Sequence, residues 1–150
     1  MDKISSERRS ENMRRIRSSN TGPEMAVRRE LHAMGFRYSL HSKLFSGKPD
    51  MVFRKLQAVI FIHGCYWHGH DCGEVKPSST NQEYWSPKIR GNRERDRRNL
   101  AAIEAEGWRH LIIWECAFRR KGIEALKETA MKAAEWLREG KASAEIGRSS

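Results

Sequence analysis

Residues 59–72 read VIFIHGCYWHGHDC, an apolar run with the character of a buried strand that passes directly into a loop dense in histidine and cysteine. The chain has three cysteines: Cys65 and Cys72 lie in this loop, and Cys116 follows a second apolar run, HLIIWE. An odd number argues against a closed disulfide framework, and thiolates grouped with imidazole favour zinc. Cys65, His70, Cys72 and Cys116 together make a tetrahedral Cys₃His set with every position filled by protein, which is a structural zinc site rather than a catalytic one. His63 and His68 are the spare histidines, and either can stand in for His70. The set closes only if the end of the second run lies beside the loop, so the zinc would pin that loop to the sheet.

The remaining pattern supplies the elements around this clip. Thr21 and Glu24 have capping-box spacing at the head of a helix whose Val27, Leu31 and Met34 share one face, and Gly35 ends it. FRYSL at 36–40 alternates like a half-buried strand, and MVF and AVIFI, separated by RKLQ, form a hairpin. From Asn81 to Glu106 the pattern is helical but interrupted at Pro87 and Gly91, which predicts a short helix and then a longer, very basic one ending before Gly107. WRHLIIWE is apolar enough for a central strand. Residues 122–139 form an amphipathic helix through Ile123, Leu126, Ala130, Ala133, Ala134 and Leu137. Trp108, Trp114 and Trp136 fall in these core patterns. A chain of 150 residues holds one core. The division is a polar arm over 1–19, a domain over 20–140 and a loose tail over 141–150, and the element order predicts an α/β fold with a small mixed sheet flanked by helices.

Charge narrows the partner. There are 29 lysines and arginines against 19 acids, a net charge of +10, which favours a polyanion and nucleic acid first. The sequence has no apolar run of about 18 residues, no signal-like segment and no lipidation motif, so a membrane partner is not expected and a cytoplasmic location is. Lys88, Arg90, Arg93, Arg95, Arg97 and Arg98 would line phosphates, and Tyr66, Trp67 and Trp85 are aromatics in or near polar loops, placed where bases can stack.

Asp50 follows GKP and opens the first hairpin strand, while the second ends in His63. Nucleases of the restriction-endonuclease-like fold place an acid at the first position and an acidic-x-Lys triplet on the second strand. Here the triplet is Phe61-Ile62-His63, with no second carboxylate and a histidine in place of lysine. The motifs RSENMRRIRSSNT, GKPDMVF, VIFIHGCYWHGHDC, EYWSPKI, GNRERDRRN, GWRHLIIWECA and AAEWL, in this order over roughly residues 8–138, resemble the very short patch repair endonucleases. These nick DNA at T:G mismatches left by deaminated 5-methylcytosine.

The resemblance implies a restriction-endonuclease-like fold with a structural zinc and a magnesium-dependent, strand-specific cut 5′ to the mismatched thymine. It implies that Asp50 and the backbone carbonyl of Ile62 bind Mg²⁺, which suits hard oxygen donors. His68 would activate water, Asp96 would orient His68, His63 would sit beside the phosphate and Glu24 would face the metal waters. A carboxylate holding one imidazole nitrogen leaves the other to act as general base. Tyr66, Trp67 and Trp85 would form a wedge beside the mismatch, with Met13 and Arg14 approaching from the opposite groove and Lys88, Arg93 and Arg97 on the phosphates. A T:G pair opens more readily than a matched one, so prying at the step adds discrimination. Double-stranded DNA, downstream mismatch-repair proteins and a repair polymerase would be the partners of a monomeric bacterial enzyme. The sequence departs from the family pattern at Ile62, where threonine is usual, and at Gly69 and Asp71, where the family carries a denser histidine run. Two other readings compete: a zinc-stabilised DNA-binding module that does not cleave, and a zinc hydrolase that uses His68 or His63 as a ligand.

Overall fold

Ala58–His63 (β3) is a run of branched and aromatic residues, five of its six positions buried, so neither face of the strand can meet water. A computed structural model, which describes residues 22–40, 42, 44–45, 47–65, 68 and 87–147, places β3 in the middle of a five-stranded mixed sheet. Met51–Phe53 (β2) pairs antiparallel with it through the turn at Arg54–Gln57, and Ser39–Leu40 (β1) adds a short antiparallel edge. On the other side Arg109–Trp114 (β4) runs parallel to β3, with His63 opposite Trp114. Ala144–Ile146 (β5) continues parallel to β4. The order is β1-β2-β3-β4-β5.

Period-two alternation divides the apolar residues between two layers. Ala58, Ile60, Leu111 and Ile113 face helices α1 (Gly22–Ala33) and α3 (Gly122–Glu139), meeting Val27, Leu31, Ala133, Ala134 and Leu137. Val59, Phe61, Ile112 and Trp114 face helix α2 (Pro87–Ala105) and meet Ile103 and Leu100. A residue at the carboxyl end of β3 can therefore be reached from a helix in either layer.

The structure differs from the sequence reading at three elements. Helix α2 runs unbroken for 19 residues from Pro87 through Gly91, so the break expected at Gly91 is absent, while the short helix expected from Asn81 falls on 81–86, outside the described residues. Pro87 occupies the first helical turn, where a missing N–H costs nothing, and one interior glycine costs only about 1 kcal/mol, which packing overrides. The strand expected over 36–40 shrinks to Ser39–Leu40. Ala144–Ile146, read from the sequence as tail, is β5; its single isoleucine leaves no apolar alternation to find, and its place comes from pairing with β4.

Only Ile89 and Ile103 are buried among the 19 residues of α2. Two such side chains contribute about 1.5–3 kcal/mol each, little for a helix of this length, so its polar contacts with the sheet matter to where it sits. Among the described residues, no helix is long and apolar enough to cross a membrane.

Candidate active site

The antiparallel register carries the start of β2 to the carboxyl end of β3, and there the Ile62 N–H donates to Asp50 Oδ2 at 2.6 Å. Glu24, only 2% exposed, comes from the first turn of α1 into hydrogen-bonding contact with the same Asp50 carboxyl and accepts from Arg28 Nη1 at 3.2 Å. Burial is the main reason the Asp50 pKa is pushed up to about 8; the neighbouring Glu24 adds to the rise, while the Ile62 N–H and Arg28 oppose it. Burial and the neighbouring acid favour the protonated Asp50 carboxyl, and a cation of oxygen-seeking character can take that proton's place.

The next residue along β3 begins a second group. His63, 5% exposed, stacks face to face on His68, with ring centroids 3.7 Å apart and an interplanar angle of 2°. Both rings meet the edge of Trp114. The His68 N–H of the backbone donates to the Gly64 carbonyl at 3.2 Å, which folds the start of the loop back over the strand end. His68 Nδ1 lies 2.6 Å from Asp96 Oδ2. A carboxylate oxygen accepts, so the hydrogen of this contact sits on Nδ1, and a neutral ring held this way has its lone pair on Nε2.

Asp96 reaches His68 because of its place on α2. It falls seven residues after Ile89 and seven before Ile103, two buried residues that fix one helix face toward the sheet. Its position in a run of arginines suggests a charge-balancing surface acid, but its helical phase puts it on the inward face. That spacing is the signal in the sequence that separates it from Glu94, which is exposed and pairs with Arg97 at 2.9 Å.

One ligand atom each from His63, His68 and Asp96 lies within 4.8 Å of the others, the composition of a small metal site. The rings argue against a shared ion. An imidazole binds a metal along its in-plane lone pair, and parallel rings 3.7 Å apart send their lone pairs along lines that do not converge.

Of the candidate zinc ligands, Cys65 and Cys116 are described. They are 5% and 2% exposed, in one apolar cluster. The parallel register sets His63 against Trp114, and each cysteine follows two residues later, so the two are carried out of the sheet side by side. His70 and Cys72 lie outside the described residues, as do Met13, Arg14, Tyr66, Trp67 and Trp85. Lys88, Arg93 and Arg97 are exposed on α2.

Two residues bordering the site escape the sequence reading. Arg28 follows Glu24 at the i,i+4 spacing and pairs with it, a signal the capping-box interpretation obscured. Glu115, one residue past β4, lies against Gly64, where an added Cβ would be 3.5 Å from Glu115 Oε2. Burial raises the Glu115 pKa, against the pull of Arg119 and His68. Nothing in the sequence pairs residues 64 and 115; the strand register does.

Comparison with known proteins gives the chain's relatives. Residues 1–74 match the family model described as DNA mismatch endonuclease Vsr. The type II nicking enzyme V.XorIIP of Xanthomonas oryzae pv. oryzae is 50% identical over 115 residues, 77% of this chain and 85% of that protein. DNA mismatch endonuclease Vsr of Escherichia coli K12 is 40% identical over 140 residues, 92% of this chain and 88% of that protein. The type II nicking enzyme V.NmeAIP of Neisseria meningitidis is 40% identical over 122 residues, 81% and 87% of the two chains. With an acid pair and an acid-held histidine stack at one strand end, and relatives of this similarity along most of its length, the chain belongs to the Vsr family of DNA mismatch endonucleases.

Proposed function

We propose that this endonuclease nicks duplex DNA at T:G mismatches arising from deaminated 5-methylcytosine, cutting 5′ to the thymine in a magnesium-dependent hydrolysis. The observation that carries the reading is the junction at Ile62–His63: Ile62 holds Asp50, with Glu24 against it, and His63 begins the stack that ends in the His68–Asp96 pair. One side of the junction offers oxygen donors for a cation, the other an oriented imidazole for a proton.

The donors fit Mg²⁺. Asp50 and the Ile62 carbonyl would hold it, with Glu24 toward its waters, and a carboxyl pushed up to about 8 by burial and a neighbouring acid is a position that a divalent cation relieves. When bound, such an ion supplies Lewis-acid stabilisation to a phosphate oxygen. His68 Nε2 accepts the proton of the attacking water while Asp96 fixes the ring through Nδ1, and His63 lies beside the phosphate. Ile62 in place of threonine is compatible with this role, because a backbone carbonyl does not depend on the side chain.

Cys65, His70, Cys72 and Cys116 would hold structural zinc in a restriction-endonuclease-like fold, the thiolates being soft donors. Tyr66, Trp67 and Trp85 would stack at the mismatch, Met13 and Arg14 would enter from the opposite groove on an arm over residues 1–19, and Lys88, Arg93 and Arg97 would take phosphates. The enzyme acts as a cytoplasmic monomer that hands a nick to a repair polymerase and to mismatch-repair proteins.

The close approach of His63, His68 and Asp96 raises one alternative, a hydrolase with an ion on the histidines, although their parallel rings count against it. The test is nicking of end-labelled duplexes carrying T:G or matched pairs in varied flanks, with and without Mg²⁺. A cut 5′ to the mismatched thymine that needs Mg²⁺ is expected. Undiminished nicking without Mg²⁺ in zinc-replete protein would favour the histidine-bound ion, and binding without nicking in any metal would leave a DNA-binding module.

A further inference from the structure

Lys48, two residues before Asp50, has a φ of +49°. Left-handed backbone is disfavoured for lysine, and the following Pro49 restricts the residue further. Gln57 and Arg120 also have positive φ, and both occupy turns next to helical segments, where the chain reverses. Lys48 likewise closes a turn, between two buried neighbours. The Lys48 N–H donates to the Phe45 carbonyl at 3.1 Å, and Phe45 and Pro49 are buried. Gly47 presses on α2, where an added Cβ would lie 3.0 Å from Asn99 Nδ2. Asn99 is one turn beyond Asp96, so the loop that delivers Asp50 is clamped to the helix that delivers Asp96. Pro49 is buried there and Lys48 is exposed.

The charges nearby give this exposure a meaning. Glu24, Asp50, Asp96 and Glu115 make the strand end acidic, and the cations beside them are engaged: Arg28 with Glu24 at 3.2 Å, Arg119 with Glu115 at 3.3 Å. A DNA phosphate arriving there meets like charge wherever these acids are ionised. Lys48 has no ion pair among the described residues. Two residues of chain hold the Lys48 and Asp50 Cα atoms within about 7 Å of each other, so the flexible four-carbon stem of an exposed Lys48 can carry its ammonium to a phosphate held at the Asp50 carboxyl. We propose that Lys48 is a phosphate-binding residue of the active site, holding a phosphate oxygen of the cleaved strand beside the Glu24–Asp50 pair. The inference rests on the endonuclease reading of this site.

Glycine and arginine separate charge from backbone. Lys48→Gly keeps the left-handed conformation without strain and removes the charge; Lys48→Arg keeps the charge. For Lys48→Gly we expect kcat/KM for T:G nicking to fall about 10- to 100-fold, with unimpaired thermal melting. Its duplex binding in magnesium-free buffer should show a log–log salt slope shallower by about 0.9, one phosphate contact. Lys48→Arg should stay within about threefold of the parent protein, the guanidinium being an equal partner for phosphate. Parent-like kcat/KM and salt slope in Lys48→Gly would overturn the proposal, as would equal damage in Lys48→Arg and Lys48→Gly. Should the parent protein itself fail to nick T:G duplexes, the reading of the reaction falls, and the salt slope still decides for or against Lys48 as a phosphate contact.

Discussion

Helix α2 makes two histidine–carboxylate contacts of nearly equal length, and their surroundings could hardly differ more. Asp96 Oδ2 is 2.6 Å from His68 Nδ1; Glu104 Oε2 is 2.7 Å from His110 Nε2. The first lies at the carboxyl end of β3, where His68 stacks on His63 and the preceding residue holds the Glu24–Asp50 pair. The second lies at the opposite end of the sheet, near the start of β4. Its Glu104 side chain is 58% exposed, and the buried His110 Nδ1 has no hydrogen-bond partner among the described residues. Both contacts orient an imidazole and help to seat a helix with few apolar anchors. Only the first leaves an oriented ring beside further chemistry-bearing groups, His63 and the Glu24–Asp50 pair. An acid–histidine pair is therefore insufficient evidence of catalysis, and its neighbours decide what it can do.

The largest way to break this comparison is to remove the neighbour that the second pair lacks. Asp50→Asn should lower T:G nicking by more than about 10³-fold, several kcal/mol of lost transition-state stabilisation, while duplex binding survives. Parent-like turnover in a folded Asp50→Asn protein would show that the His68 pair works without the acids. Next, His68→Ala should cost about 10²–10⁴ in nicking rate, the range for a general base, with zinc and mismatch binding retained. Loss of zinc in that variant would instead make His68 a ligand and remove His70 from the set.

A smaller effect concerns stability without magnesium. The folded Asp50 pKa of about 8 lies above the ordinary carboxylate value near 3.8. The fold therefore favours the protonated acid, and stability present below about pH 4 is lost as the pH rises through 8. Asp50→Asn keeps an acceptor for the Ile62 N–H and escapes that loss. Its melting temperature should gain on the parent's as the pH goes from 5 to 8, by an amount equivalent to a few kcal/mol at most. A constant difference across that range would argue that the acid pair is not strained by charge. The smallest effect belongs to the distant contact. Glu104→Gln should leave nicking within about twofold and cost less than about 1 kcal/mol of stability, since the acid is mostly exposed. A tenfold loss of nicking there would mean that α2 transmits its seating at one end to the site at the other.

How far the site was legible can be followed residue by residue. Asp50 and His63 stand out because each abuts an apolar run short enough to be a strand, and chemistry-bearing side chains at strand ends have few structural reasons to be there. Asp96 is readable in retrospect from its heptad spacing to Ile89 and Ile103, though only if α2 is unbroken, which Pro87 and Gly91 concealed. Glu24 carries two meanings in one sequence, a capping acid and a partner for Asp50, and its 2% exposure next to Asp50 belongs to tertiary packing. Glu115 left no trace, because its place beside Gly64 depends on a register between distant strands, and no local signal in the sequence marks the left-handed φ of Lys48.

By itself the sequence determined the alternation of strands and helices, the hairpin that brings Asp50 to the end of β3, and the family, since these rest on local periodicity, turn chemistry and contiguous motifs. Which imidazole meets which acid was decided only by the tertiary structure. A side chain's partner across the fold depends on strand register and helix phase together, and a shift of one residue in either would turn His63 or Asp96 to the wrong face. The burial that raises Asp50 and draws Glu24 to it is likewise a product of two layers closing over one strand end, and no single segment contains it.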